Sequence, residues 1–400
     1  MRFDWKKALR AAVLSLFFLV FFGGIFFVLF LFGSLGMFPL YVTKVIPIVG
    51  AAVVLALILI NSDYLSTRGR RRVGAACLAV CVGCSAYAGY GFYKDSIPTV
   101  DDRGLLLRDY QPFEAGTKTV SLEEPATLRF DNAWTLSLDG ATALYPVYAG
   151  FVQAVYPKRE DFYSPFHSSV ECNGTITAYE RLIQGEVDMI FAAAPSKAQL
   201  KAAEEAGVEL HMTPIGREAF VFFVNSKNPV TSLTVEQIQG IYSGTVTNWR
   251  EVGGRNQRIR PFQRAEDSGS QSALQRLMDG LPLIEPEEED RIGGMGGIIT
   301  QVASYRNHRN AIGFSFRYYA AEMAANDQIR LLALNGVEPT KETIRDGSYP
   351  ISSYFYAVTA APKGQSAPED TNAVLRMFLD WILSEQGQSL VEHTGYVALE

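Results

Sequence analysis

VECNGTITAYERLIQGEVDMIFAAAPSKAQL, residues 170–200, contains a turn, a helix, a strand and the start of a second helix in one short stretch. Asn173-Gly174 supplies the turn, because both residue types tolerate the backbone of a tight reversal. Apolar residues at helical spacing follow over 177–185. VDMIFAA at 187–193 is a nearly unbroken apolar run, short enough for a strand covered on both faces. Helical period returns over 197–206. A buried strand set between amphipathic helices points to an α/β fold with largely parallel sheets.

The alternation continues outward from this stretch. TLRF (127–130), AFVFFV (219–224), AIGFSF (311–316) and IRLLAL (329–334) read as further strands. Helical period marks 142–155, 234–242, 270–279, 317–325 and 371–392. No short fixed repeat is present, which excludes a solenoid.

The N-terminal part has a different character. Residues 11–32 and Val73–Tyr93 carry no Asp, Glu, Lys or Arg, and Leu40–Ile60 carries only Lys44. Each run has the ~20 apolar residues a helix needs to cross a bilayer. Arg2, Lys6, Lys7 and Arg10 precede the first run, and Arg68, Arg70, Arg71 and Arg72 lie between the second and third. Basic loops stay cytoplasmic. The expected topology is therefore N-terminus inside, three spans, and residues 94–400 extracytoplasmic in a multi-pass protein of the cell membrane. Three spans also argue against a cleaved signal peptide.

The expected organisation is a membrane anchor over 1–93, an extracytoplasmic stalk over 94–126 and an α/β domain over 127–400. The formal net charge of −6 excludes a nucleic-acid partner that grips the phosphate backbone. Four cysteines are present: Cys77, Cys81 and Cys84 read as small packing residues on one helix face, and Cys172 stands alone in the soluble part.

Three places join a strand or loop to a helix start. In LDGATALYPVY (138–148) a helix begins near Thr142. In VECNGTITAYERL (170–182) Gly174 and Thr175 lead into a helix. In QRAEDSGSQSALQRLM (263–278) Ser268, Gly269 and Ser270 open a helix, with Arg264 just before it. Each start offers unpaired backbone N–H groups, the positive end of a helix dipole and a hydroxyl, which together suit a small anion. Arg264 adds a fixed charge with a bidentate fork. Taken singly, each start also reads as an ordinary N-cap, and Arg264 beside Glu266 and Asp267 as a surface ion pair.

Other motifs are bland. His167, His211, His308 and His393 show no metal spacing. EPEEED (285–290) reads as a solvated loop, and GGMGG (293–297) as a flexible turn before a helix near 298–306. No nucleophile elbow is present. No enzyme activity, cofactor or metal is expected.

From Leu138 to Leu399 the chain resembles the phosphate-binding component of bacterial phosphate ABC transporters. DGATALYPVY (139–148), GEVDMIFAAAPS (185–196), LTVEQIQGIYSGTVTNWREVGG (233–254), RAEDSGSQ (264–271), AIGFSF (311–316) and FLDWILSEQGQSLVEHTGYVAL (378–399) carry the resemblance, in order and at matching spacing. It implies a two-lobed, periplasmic-binding-protein-like (type II) fold behind the three transmembrane helices. Lobe 1 is then 127–224 plus 354–400 and lobe 2 is 225–353, with crossings near Phe222–Ser226 and Tyr349–Val358. By position the resemblance assigns anion contacts to Thr142, Gly174 and Thr175 in lobe 1, and to Arg264, Ser268, Gly269 and Ser270 in lobe 2. It makes Glu266 the residue that steadies the arginine, and Tyr242, Trp249 and Trp381 packing residues.

The implied partners are a small inorganic anion (phosphate or similar), the membrane, and an ABC permease or other membrane protein. Two positions depart from the pattern: Ala193 stands where an Asp that accepts the proton of hydrogen phosphate is expected, and Ala143 replaces an aromatic. A fully ionised oxyanion such as sulfate, or a different phosphorylated or carboxylate ligand, suits a site without that acceptor. A sensor or adaptor acting through the membrane helices, and a scaffold that no longer binds ligand, are the alternatives from other classes.

Overall fold

The computed structural model describes residues 5–61, 65–96, 99–100, 107–132, 135–158, 169–286, 291–292, 305–306, 308–324 and 328–400. The chain divides into two compact units, Met1–Pro98 and Thr99–Glu400. His167, most of EPEEED, the GGMGG turn and most of the helix expected after it lie outside the described residues.

The first unit is α1 (Trp5–Ser34), α2 (Leu40–Asn61) and α3 (Thr67–Asp95). Each is long and apolar enough to cross a membrane. Small residues let these helices approach closely, as in membrane helix pairs generally. A Cβ added at Gly33 would lie 2.6 Å from Thr43, and one at Gly50 would lie 2.7 Å from Phe26. Tyr41 packs over Gly91 and donates its hydroxyl to Asp95 at 2.8 Å, tying α2 to the end of α3.

The second unit runs, in chain order, β1 (Thr99–Val100), β2 (Leu138–Gly140), α4 (Tyr145–Val155), α5 (Gly174–Ile183), β3 (Met189–Ala193), α6 (Lys197–Glu205), β4 (Val208–Asn225), β5 (Ser232–Leu233) and α7 (Val235–Ser243). Then follow β6 (Arg260–Pro261), β7 (Gln263–Arg264), α8 (Gly269–Leu277), β8 (Arg291–Ile292), β9 (Tyr305–Arg306), β10 (Ala311–Phe316), α9 (Arg317–Ala324), β11 (Ile329–Leu331) and β12 (Ala333–Leu334). The last elements are α10 (Lys341–Arg345), β13 (Ser352–Pro362), α11 (Pro368–Thr371), α12 (Ala373–Leu383) and α13 (Glu385–Thr394).

A seven-stranded sheet of order β2-β3-β13-β4-β10-β6, with β11 also on β4, runs through both lobes. The long strand β4 makes this possible. Its first part, Val208–Ala219, pairs with β13, and its second part, Phe220–Asn225, pairs with β10 and β11. The burial pattern follows the change: the first part alternates, and the second is buried throughout. Pro214, opposite Tyr356, sits beside the point where the β4–β13 register shifts and Ile215 is skipped, and strand prolines are tolerated at such bulges.

Several expectations need correction. The sheet is mixed rather than largely parallel, because β4 leaves the first lobe and β13 returns to it, which makes them antiparallel neighbours. β4 changes partner from β13 to β10 at Ala219/Phe220, and Ile351 O accepts from Phe220 N at 3.0 Å beside this change. TLRF (127–130) is not a strand; Phe130 instead buries its ring against Tyr156 and Phe378, and the strand is Leu138–Gly140. Tyr305–Arg306, expected at the end of a helix, pair with Thr99–Val100. The helix expected over 371–392 is interrupted at Ser384, whose backbone is extended.

Part of the stretch expected as a stalk is packed on the domain. Tyr110 is buried, Thr119 donates to its carbonyl at 2.6 Å, and Phe113 N donates to Gln153 at 3.1 Å. Gln386 donates to Pro125 O at 3.2 Å. An extended chain that buries single apolar residues has no period, so pattern reading passes over it. The packing positions were legible: Tyr242, Trp249 and Trp381 are all buried, and Trp249 Nε1 donates to Asn310 O at 2.8 Å.

Candidate functional site

In the first lobe, β2 ends at Gly140 and the chain turns through Ala141 into a short 3-10 turn, Thr142–Leu144, that leads to α4. Gly140 is required here: a Cβ would fall 2.7 Å from Phe191 O and 2.9 Å from the Tyr148 ring. The second turn ends at Gly174, whose φ of 82° is the left-handed region that glycine adopts without strain. Thr142 and Gly174 adjoin each other, since a Cβ on Gly174 would stand 4.0 Å from Thr142 Oγ1.

In the second lobe, Asp267 takes a left-handed backbone (φ 65°), a conformation Asp tolerates better than most residues. It delivers the chain to Ser268, the N-cap of α8, whose side chain accepts from Gln271 N at 3.3 Å. Gln271 is the residue that joins this helix start to Arg264. Its Oε1 accepts from Arg264 N at 2.9 Å, and its Nε2 donates to Gln263 at 3.0 Å. Glu266, expected to steady the arginine, is exposed.

The two lobes meet at these helix starts. A Cβ placed on Gly269 would lie 3.3 Å from Thr175 Oγ1, 3.6 Å from the Phe316 ring and 3.8 Å from Ala193 Cβ. Gln199 Nε2 adds a contact to Asp267 O at 3.4 Å. The fold therefore gathers Thr142, Gly174 and Thr175 from one lobe with Ser268, Gly269 and Ser270 from the other. Arg264 is held to the same helix start through Gln271. Ala193 closes the strand end beside them, and the segment from Phe191 to Gln199 carries no acidic residue. The starts of α5 and α8 bring backbone N–H groups and positive dipole ends to one place, an arrangement that favours an anion.

Two buried titratable groups lie near this junction. Cys172 is buried; loss of hydration pushes its thiol up to about 12, so it stays protonated and acts as packing under the turn. Glu218 lies on β4 just before the lobe crossing, with 4% exposure. Burial pushes its carboxyl up to about 7, against the lowering effect of backbone N–H groups of Ala219, Tyr318 and Arg317 and of the Arg317 charge. Sequence reading missed Glu218, Gln271 and the buried carboxylate of Asp139. Only the last had a visible signal, the Asp-Gly pair that opens DGATALYPVY.

A family model described as the PBP superfamily domain matches residues 117–386. The chain is 24% identical over 268 residues to the phosphate-binding protein PstS of Bacillus subtilis, covering 66% of this chain and 80% of that one. It is 24% identical over 279 residues to PstS of Borreliella burgdorferi, covering 68% and 92%. Among solved structures, a putative phosphate ABC transporter substrate-binding protein with bound phosphate from Clostridium perfringens is similar. Its TM-score is 0.50 at 25% identity, with 66% of this chain and 99% of that chain covered.

Proposed function

The chain belongs to the PBP superfamily, and from that premise we propose that it is a membrane-anchored extracytoplasmic binding protein that captures a small oxyanion, phosphate first, for an ABC permease. The observation that carries the reading is the meeting of two helix starts from opposite lobes at Thr175 and Gly269. An anion held there receives N–H groups and hydroxyls from both lobes at once, so binding and lobe closure are one event. Arg264 supplies the countercharge. Closure turns on the two crossings, at Ala219/Phe220 and at Ile351. The reading assigns no catalytic step. The matched relatives carry names of phosphate-binding proteins, and this supports phosphate as the first ligand to try.

Ala193 supports a second reading of the ligand. A carboxylate at this strand end would accept the proton of hydrogen phosphate, and a methyl group cannot. A donor left unpaired on the ligand costs roughly 1–3 kcal/mol, so fully ionised anions gain relative to hydrogen phosphate at this site. Calorimetric titration of the full chain with phosphate and sulfate tests both readings. Binding of either supports anion capture, and their ratio identifies the preferred ligand. No heat with either anion refutes the function proposed.

The apolar helices support the anchoring role. The basic residues Lys6, Lys7 and Arg10 in the first turns of α1, and those at the start of α3, support a cytoplasmic position for both helix starts and a binding domain outside.

A further inference from the structure

Beneath the two first-lobe turns lies one carboxylate with no solvent exposure, Asp139. Its Oδ1 accepts from Gly140 N at 2.7 Å and Asn173 N at 2.8 Å. Its Oδ2 accepts from Asn173 Nδ2 at 2.8 Å and from Arg181 Nη1 at 2.7 Å. The first donor belongs to the turn that carries Thr142. The next two belong to the turn that carries Gly174 and Thr175. The last comes from α5, the helix that this second turn opens. Arg181 is itself held by Glu171 at 2.9 Å and Glu186 at 3.1 Å.

We propose that Asp139 is a positioning residue for anion binding, which fixes the spacing of the Thr142 and Thr175 turns. The proposal rests on the anion-site reading given above. A buried carboxylate near an anion site repels the anion unless its charge is offset; Arg181, shared with Glu171 and Glu186, offsets it in part, and the three N–H donors from Gly140 and Asn173 take up the rest. What remains is a rigid acceptor with each oxygen taking two donors. An amide in its place has one acceptor oxygen, and its NH₂ group would face either Asn173 Nδ2 and Arg181 Nη1 or the Gly140 and Asn173 N–H groups, donor against donor. The two turns would then part, and the hydroxyls of Thr142 and Thr175 would lose the spacing at which both reach one ligand. Asp139 touches no ligand in this scheme and acts only through the turns it joins.

The test uses the full chain in lipid nanodiscs titrated with inorganic phosphate. Asp139→Asn is expected to weaken phosphate binding tenfold or more. In a Thr142→Ala background the same change is expected to cost less than threefold, because the hydroxyl it positions is already gone. Losses that simply multiply would show a general loss of folding and overturn the proposal, as would an Asp139→Asn chain that binds like the wild type. Should Asp139→Asn not fold, Asn173→Ala leaves the Arg181 ion pair in place; a loss of threefold or more supports the proposal and unchanged affinity overturns it. A wild-type chain that binds no phosphate removes the site reading itself, a result distinct from wild-type binding with an indifferent Asp139.

Discussion

Replacing Glu218 by Gln should make the stability of the binding domain less dependent on pH, in a direction the structure fixes. Glu218 ends the first-lobe part of β4. Its carboxylate accepts from Ala219 N at 2.9 Å and from Tyr318 N at 3.4 Å, at the start of α9 in the second lobe. Burial is the largest influence and pushes the group from 4.5 up to about 7. A displacement of that size corresponds to roughly 3 kcal/mol between the two protonation states. The folded chain thus holds the proton more tightly than the unfolded one. The stabilisation is fully present below pH 4.5, the unfolded value, and is lost as pH rises through about 7. Gln is neutral throughout and keeps it. Gln also has a single acceptor oxygen for two N–H groups, a cost of about 1 kcal/mol at every pH. The stability of Glu218→Gln relative to wild type should therefore begin slightly negative near pH 4.5 and rise by roughly 3 kcal/mol by pH 8. Denaturant unfolding of both full chains in detergent, followed by circular dichroism across this range, gives the difference directly. A difference that stays constant with pH refutes the reasoning.

Further outcomes follow from the same geometry. Gly269→Val should weaken anion binding at least tenfold, since a Cβ there already lies 3.3 Å from Thr175 Oγ1 and the added methyl groups hold the lobes apart; calorimetry of the folded variant measures it. Ala193→Asp should raise the preference for phosphate over sulfate by roughly tenfold or more, the worth of one satisfied donor, measured by competition between the two anions. For topology, a cysteine at Arg71 should react with a membrane-impermeant maleimide only after cells are permeabilised, whereas one at Glu123 should react in intact cells. The reverse pattern would contradict an outside binding domain.

How far the fold could be read from sequence depended on the kind of signal. VDMIFAA and AIGFSF were legible because a short apolar run between helices has few other uses. The first part of β4 and all of β13 were not, since their half-exposed residues mix apolar and polar types without a clean period. The mixed sheet follows from these two strands and was lost with them. The packed segment around Tyr110 escaped because it has no period at all. At the candidate site, the Gly174 turn and the Ser268 N-cap were legible because turn and cap chemistry is local. Asp139 and Glu218 work through partners far along the chain, Asn173 and Arg181 for one and Tyr318 for the other, and a single sequence does not show which residues they meet.

The central claim is that an oxyanion binds between the lobes with Arg264 as its countercharge. Isothermal titration of the full chain with inorganic phosphate, repeated with Arg264→Ala, tests it most directly. The account predicts one anion bound per chain, and a loss of tenfold or more in the variant, consistent with roughly 1.5–3 kcal/mol for hydrogen bonds to a charged group. Equal affinity in the two proteins would contradict it.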